Sequence, residues 1–151
     1  MAKYGRIIGI DVGTRWIGVA RTDLLRTVAN PIGTYHTEDI IDKLEELVDD
    51  EQVEKIVVGW PLTPTGHEGD AIKMVEQFIA RLEKAMPDME IAKIDERYTT
   101  KEAMRAMVEA GVPKMKRRKS DRINQAAAAI ILQKYIELIK SDNVRITDRY
   151  I

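Results

Sequence analysis

The chain has 151 residues, 44% of them hydrophobic, which suits one domain with its own core and exceeds the small scaffolds that need disulfides or metals to fold. With no cysteine it carries neither a disulfide framework nor thiolate-held zinc, and no apolar run approaches the roughly 20 residues of a membrane-spanning helix. The net charge of -1 announces no whole-molecule affinity for nucleic acid, so the expectation is a single domain over residues 1–151, cytoplasmic and without membrane association, whose partners are set by local patches.

Residues 6 to 12 and 16 to 21 read as two strands joined by a turn containing Gly13, and 27 to 35 as a weaker third strand in which Pro31 suits an edge or a bulge. From Thr37 the period becomes helical: Ile40, Ile41, Leu44, Leu47 and Val48 share one face, with Thr37 placed as the N-cap. KIVVG, 55 to 59, is a short buried strand. Gly66 to Met86 carries Ala71, Ile72, Val75, Phe78, Ile79 and Leu82 at helical spacing until Pro87 stops it, and IAKI, 91 to 94, is a further strand. Thr99 and Glu102 form a capping-box pattern for a helix ending near Gly111 and Pro113. A last helix runs from Ser120 to Ile139, its alanines allowing close packing on a sheet. Three antiparallel strands, then strands alternating with helices, predict an α/β protein: a mixed five-stranded sheet with helices on both faces, a layout that resembles the ribonuclease-H-like fold.

Asp11 raises the first chemical question. It stands between Ile10 and Val12 at a buried strand end, where an unpaired carboxylate is costly. Gly9 and Gly13 remove side chains around it, leaving room for another backbone or a phosphate. Either Asp11 bonds the following turn, with Thr14 as partner, or a cation comes to it. In IDERYTT, 94 to 100, Asp95 and Glu96 point to opposite faces, so only one can share a site with Asp11. Asp121 and Asn124 lie one turn apart on the last helix, about 4.5 Å along its axis, and face the same side. An acid in a first helical turn is also explained by the helix dipole alone. Residues 114 to 122 hold six cations against one anion, including KRRK at 116 to 119. Such a run is ordinarily a solvated surface, but beside acidic motifs it suits a phosphate backbone.

Taken together, these residues point to phosphodiester hydrolysis, in which divalent ions held by carboxylates activate water and steady the leaving oxygen. Magnesium and manganese prefer oxygen ligands, which the sequence offers, whereas His36 and His67 are not spaced for zinc.

Four stretches in this order, GIDVGTRWIGVARTD (9 to 23), VVGWPLTPTGHEGD (57 to 70), DERYTT (95 to 100) and AAAAIILQ (126 to 133), resemble the YqgF family, bacterial proteins described both as Holliday-junction-resolvase-like and as pre-16S rRNA nucleases. The resemblance implies a nuclease dependent on Mg²⁺ or Mn²⁺, acting in maturation of the 5′ end of pre-16S ribosomal RNA or on branched DNA. It implies acidic catalytic positions at Asp11, at Glu96 and at the start of the last helix. There the chain departs from the pattern, with Asn124 where the family usually has Asp. An amide brings no negative charge, so Asp121 is expected to complete a metal set of Asp11, Glu96 and Asp121, with Asn124 beside it. Arg15, Arg97, Lys116, Arg117, Arg118 and Lys119 are the expected nucleic-acid contacts. Junction cutting calls for a two-fold dimer, but no interface is marked, leaving a monomer or weak homodimer; Trp16 and Trp60 read as core residues or exposed contacts. Two other readings compete. IGIDVGT also resembles the first phosphate loop of actin-like and sugar-kinase ATPases, for which 151 residues leave no second domain. An RNA-binding assembly factor that has lost its chemistry is the other, and Asn124 favours it.

Overall fold

The computed structural model describes residues 5–62, 69–96, 105 and 120–140. Its elements are β1 (Arg6–Val12), β2 (Trp16–Thr22), β3 (Ala29–His36), α1 (Ile40–Asp50), β4 (Val53–Trp60), α2 (Ala71–Ala85), β5 (Glu90–Asp95) and α3 (Ser120–Lys140). The strands make one sheet in the order β3-β2-β1-β4-β5. β1 pairs antiparallel with β2, and β2 with β3, whereas β4 runs parallel to both β1 and β5. This is the expected meander followed by parallel strands, β4 and β5 being joined through α2 as a parallel pair requires. Pro31 lies both at an edge and at an irregularity: β3 is outermost, and its register against β2 shifts where the partner of Val19 is Gly33 and that of Ala20 is Pro31. A missing N–H disturbs the ladder least in such a place.

Strand alternation divides the core in two. Ile8, Ile10, Val12, Ile17, Val19, Ile56 and Val58 bury one face of the sheet under Ile40 and Leu44 of α1 and Val75, Phe78 and Leu82 of α2. Ile7, Ala20, Val57, Ala92 and Ile94 bury the other under Ala128, Ile131, Leu132, Tyr135 and Ile136 of α3. Each large side chain so buried contributes about 1.5–3 kcal/mol relative to exposure. Glycines on this face let α3 approach closely. A Cβ on Gly9 would lie 2.7 Å from Leu132 Cβ, and one on Gly18 would overlap the Asn124 carbonyl, so the helix rests almost on the strands. At the other end of α3, Lys55 Nζ donates to the hydroxyl of buried Tyr135 at 2.6 Å. Among the described residues no helix is long and apolar enough to cross a membrane.

Two sequence expectations need correction. Thr37 is not the N-cap of α1, which starts at Ile40 with Asp39 in the cap position. The Thr37 N–H instead donates to the Arg15 carbonyl at 3.1 Å, and its carbonyl accepts from Arg81 Nη2 at 2.8 Å. Its main chain closes the β1–β2 turn against α2, and the helix starts a few residues later. The α2 helix begins at Ala71 rather than Gly66; residues 63–68 lie outside the described ones. So does the Thr99 capping box, with only Arg105 of its helix described, in helical conformation.

Candidate active site

The alternation that builds the core also selects the acids. Ile7 faces α3, which places Gly9 and Asp11 on the same face at the carboxyl end of β1. On β5, Ala92 and Ile94 face α3, and Glu96, just past the strand end, continues that parity. Asp95 takes the opposite parity with Lys93, whose Nζ stands 4.3 Å over the ring of Trp60 on the α1 and α2 side. The Glu96 N–H donates to the Trp60 carbonyl at 3.2 Å, fixing the backbone from which its side chain departs. Between β5 and β1 stands β4, and there Gly59 is bare: a Cβ would lie 2.9 Å from both Cδ and Oε2 of Glu96. The Glu96 carboxyl thus passes over Gly59 and hydrogen-bonds the side chain of Asp11.

Both groups are half-buried, and two adjacent carboxyls enclosed by protein do not both ionise readily. Burial pushes the Glu96 carboxyl well above the ordinary range, helped by the charge of Asp11, its hydrogen bond and the charge of Asp95. Burial also raises Asp11, opposed by the hydrogen bond from Glu96. The pair therefore holds one proton at neutral pH, with Glu96 the donor and Asp11 the acceptor. Such a pair fits a divalent cation: its donors are oxygens only, and a cation in place of the proton relieves the repulsion. Among the described residues no group of three His, Cys, Asp or Glu is close enough to hold a metal ion. Asp121 lies in the first turn of α3, but its side chain is outside the described ones.

Asn124 is seated over Gly18, the register partner of Asp11. Its Nδ2 donates to the Trp16 carbonyl at 3.2 Å, and the amide lines a recess with Gly13, Thr14, Arg15 and Trp16. Arg15 is exposed on this turn. Arg97, Lys116, Arg117, Arg118 and Lys119 lie outside the described residues. The two tryptophans part company: Trp60 is core at 4% exposure, and Trp16 is 38% exposed. A larger recess lies at the opposite end of β4, lined by Arg26, Val53, Lys55, Met86 and Glu90 among others. There Glu54 and Glu90 are paired with Arg26 and Lys55, whereas Asp11 and Glu96 meet each other, so the carboxyl pair rather than the cavity size marks the candidate site. Sequence reasoning passed over Gly59 and Gly18; a glycine near the end of an otherwise β-branched strand was the available signal.

Comparison with known proteins places the chain in a family. A family model described as RuvX, Holliday junction resolvase, matches residues 5–138. A relative from Salinibacter ruber, provisionally named a pre-16S rRNA nuclease, is 43% identical over 136 residues, covering 90% of this chain and 95% of the relative. One of the same name from Chlorobaculum tepidum is 38% identical, covering 90% of this chain and 96% of that one. Among solved structures, RuvC of T. thermophilus in complex with a Holliday junction substrate superposes with a TM-score of 0.55 at 15% identity, covering 89% of this chain and 96% of that chain. That likeness shows the fold, which is ribonuclease-H-like. With the match running from β1 into α3, and with relatives this similar over nearly their whole length, the chain belongs to the RuvX family of nucleases.

Proposed function

We propose that this chain is a single-domain, metal-dependent nuclease of the cytoplasm that hydrolyses phosphodiester bonds in structured RNA, maturing the 5′ end of pre-16S ribosomal RNA. The observation that carries this reading is the Asp11–Glu96 pair on the α3 face, with the names of the relatives indicating the substrate. In this reading Asp11, Glu96 and Asp121 hold Mg²⁺ or Mn²⁺, which supplies charge neutralisation and an activated water when bound. Glu96 gives up its shared proton to make that possible. Arg15, Arg97 and Lys116 to Lys119 hold the phosphate backbone. Asn124 keeps the β1–β2 turn beside the acids, so its departure from Asp is compatible with activity. Cleavage of a four-way DNA junction is the second reading, favoured by the description of the family model, and it calls for a two-fold dimer rather than a monomer.

The test is cleavage of a labelled RNA precursor and a DNA four-way junction with Mg²⁺, Mn²⁺ or EDTA, comparing wild type with Asp11→Asn and Asp121→Asn. Metal-dependent cutting of the RNA, lost in both variants, is expected. Faster cutting of the junction would transfer the role to DNA. Binding of RNA without cutting, indifferent to EDTA and to Asp11→Asn, would make the protein an assembly factor instead.

A further inference from the structure

Trp16 is a large aromatic left 38% exposed beside the acid pair. By the alternation of β2, in which Ile17 and Val19 face α1 and α2, Trp16 takes the α3 side together with Gly18 and Ala20. Gly18 is in register with Asp11, and Trp16 is two residues further along the same strand. With a rise of about 3.3 Å per residue and strands about 4.8 Å apart, the Cα of Trp16 stands roughly 8 Å from that of Asp11. That span suits the reach from one phosphate to the base of an adjoining nucleotide.

The residue is held in place by its backbone rather than its ring. Its carbonyl accepts from Gly13 N at 3.0 Å and from Asn124 Nδ2 at 3.2 Å, while the neighbouring Arg15 carbonyl accepts from Thr37 N at 3.1 Å. The indole meets only one aromatic partner among the described residues, His36, its cross-strand neighbour, at 5.4 Å between centroids and 86° between planes. The two rings form a right-angled corner. His36 Nδ1 accepts from the Glu38 N–H at 3.2 Å, so the neutral imidazole keeps its proton on Nε2, a donor for a base edge or phosphate oxygen. Arg15, exposed on the same turn, adds a cation.

We propose that the Trp16–His36 corner is a stacking subsite for an unpaired nucleobase next to the scissile phosphate, and that it makes the enzyme select strands unpaired at that point. The inference rests on the nuclease reading and adds to it the feature of the substrate that is read. A base within a duplex is stacked on its neighbours and offers no face to an indole, whereas a splayed or single-stranded base does. A pinned turn loses little freedom when the base arrives, which favours stacking. Base–aromatic stacking is worth about 1–3 kcal/mol per base, or about 5- to 150-fold in affinity.

The experiment is fluorescence anisotropy in EDTA, so that nothing is cut, with a labelled single-stranded RNA and the same RNA in a blunt duplex. Wild type, Trp16→Ala and Trp16→Phe are compared, with sedimentation velocity of each. Trp16→Ala should weaken binding of the single strand by about 10-fold or more and leave the duplex affinity unchanged, and Trp16→Phe should restore most of the loss. An equal loss for both RNAs, or none, would overturn the subsite while leaving the nuclease intact. A change in sedimentation without a change in single-strand affinity would overturn it too, assigning Trp16 to contact with a second copy. Wild-type protein that binds neither RNA would instead remove the RNA-nuclease reading on which the subsite rests.

Discussion

The side-chain amide of Asn124 donates to the main-chain carbonyl of Trp16 at 3.2 Å, tying the start of α3 to the turn between β1 and β2. The residue that departs from the family pattern thus has a structural partner. Replacing it with Ala should cost about 1 kcal/mol, the net worth of such a bond. In Asn124→Asp the carboxylate cannot donate and repels the carbonyl, so the metal-free variant should melt below wild type. Added Mn²⁺ should recover that loss if the new charge reaches the metal. Thermal melts in EDTA and in Mn²⁺ check both, and an unchanged melting temperature in EDTA would remove the role assigned to the tie.

Gly18 should tolerate no side chain. Its Cβ would overlap the backbone of Asn124 in α3, which cannot yield as the tip of a flexible side chain can. Gly18→Ala is expected to destabilise by about 1–3 kcal/mol in urea denaturation, as overpacking does. Gly33→Ala is the control: on the edge strand its Cβ would meet the Tyr35 hydroxyl at 3.2 Å, and the change should stay within about 0.5 kcal/mol. Equal effects at the two positions would contradict the close seat of α3.

The acid pair makes the stability of the metal-free protein depend on pH in the unusual direction for carboxyls. Glu96 is raised from 4.5 to about 10 and Asp11 from 3.8 to about 6. Groups raised on folding contribute stability that is present below their unfolded values and lost as pH rises through the folded ones. Metal-free wild type should therefore lose stability progressively from about pH 4 upward, most of it through Glu96, and Glu96→Gln should flatten that decline. On the proposed metal-binding role of this pair, metal would compete with the shared proton, so stabilisation by Mn²⁺ should grow with pH over the same window. Melting temperatures across that range, with and without metal, provide the check; a metal-free protein equally stable at both ends would contradict the shared proton.

A more ordinary carboxylate organises the loop after β2. Asp23 accepts from Thr27 N at 2.7 Å, Val28 N at 3.0 Å and the Thr27 hydroxyl, which together hold its carboxyl down at about 2. A lowered group contributes stability above its unfolded value of 3.8, lost as pH falls through about 2. Asp23→Ala should accelerate amide exchange at Thr27 and Val28 near neutral pH without changing exchange in β1. Unchanged protection at those two amides would mean that the loop is ordered by other contacts.

Much of this protein is legible in its sequence because the information is periodic and local. Alternation in IIGIDV and WIGVA, helical spacing from Ile40 to Val48 and from Ala71 to Leu82, and the proline in the third strand predict elements in the order and type the structure shows. Asp11 is conspicuous for a physical reason too, as a charge among buried neighbours. Strand register and the meeting of chain segments far apart are not local, and they decided the rest. Glu96 rather than Asp95 meets Asp11 because β5 pairs with β4 in the register that turns Ala92 and Ile94 toward α3, and because Gly59 leaves a gap for the carboxyl to cross. Asn124 looks like a weakened metal ligand along the chain, and only the seating of α3 on Gly18 brings its amide to the Trp16 carbonyl. Trp60 and Trp16 are alike as residue types. The first is covered by packing across the sheet, whereas the second stands at a strand end that its cross-strand neighbour covers only in part, and solvent exposure there is a property of the assembled fold.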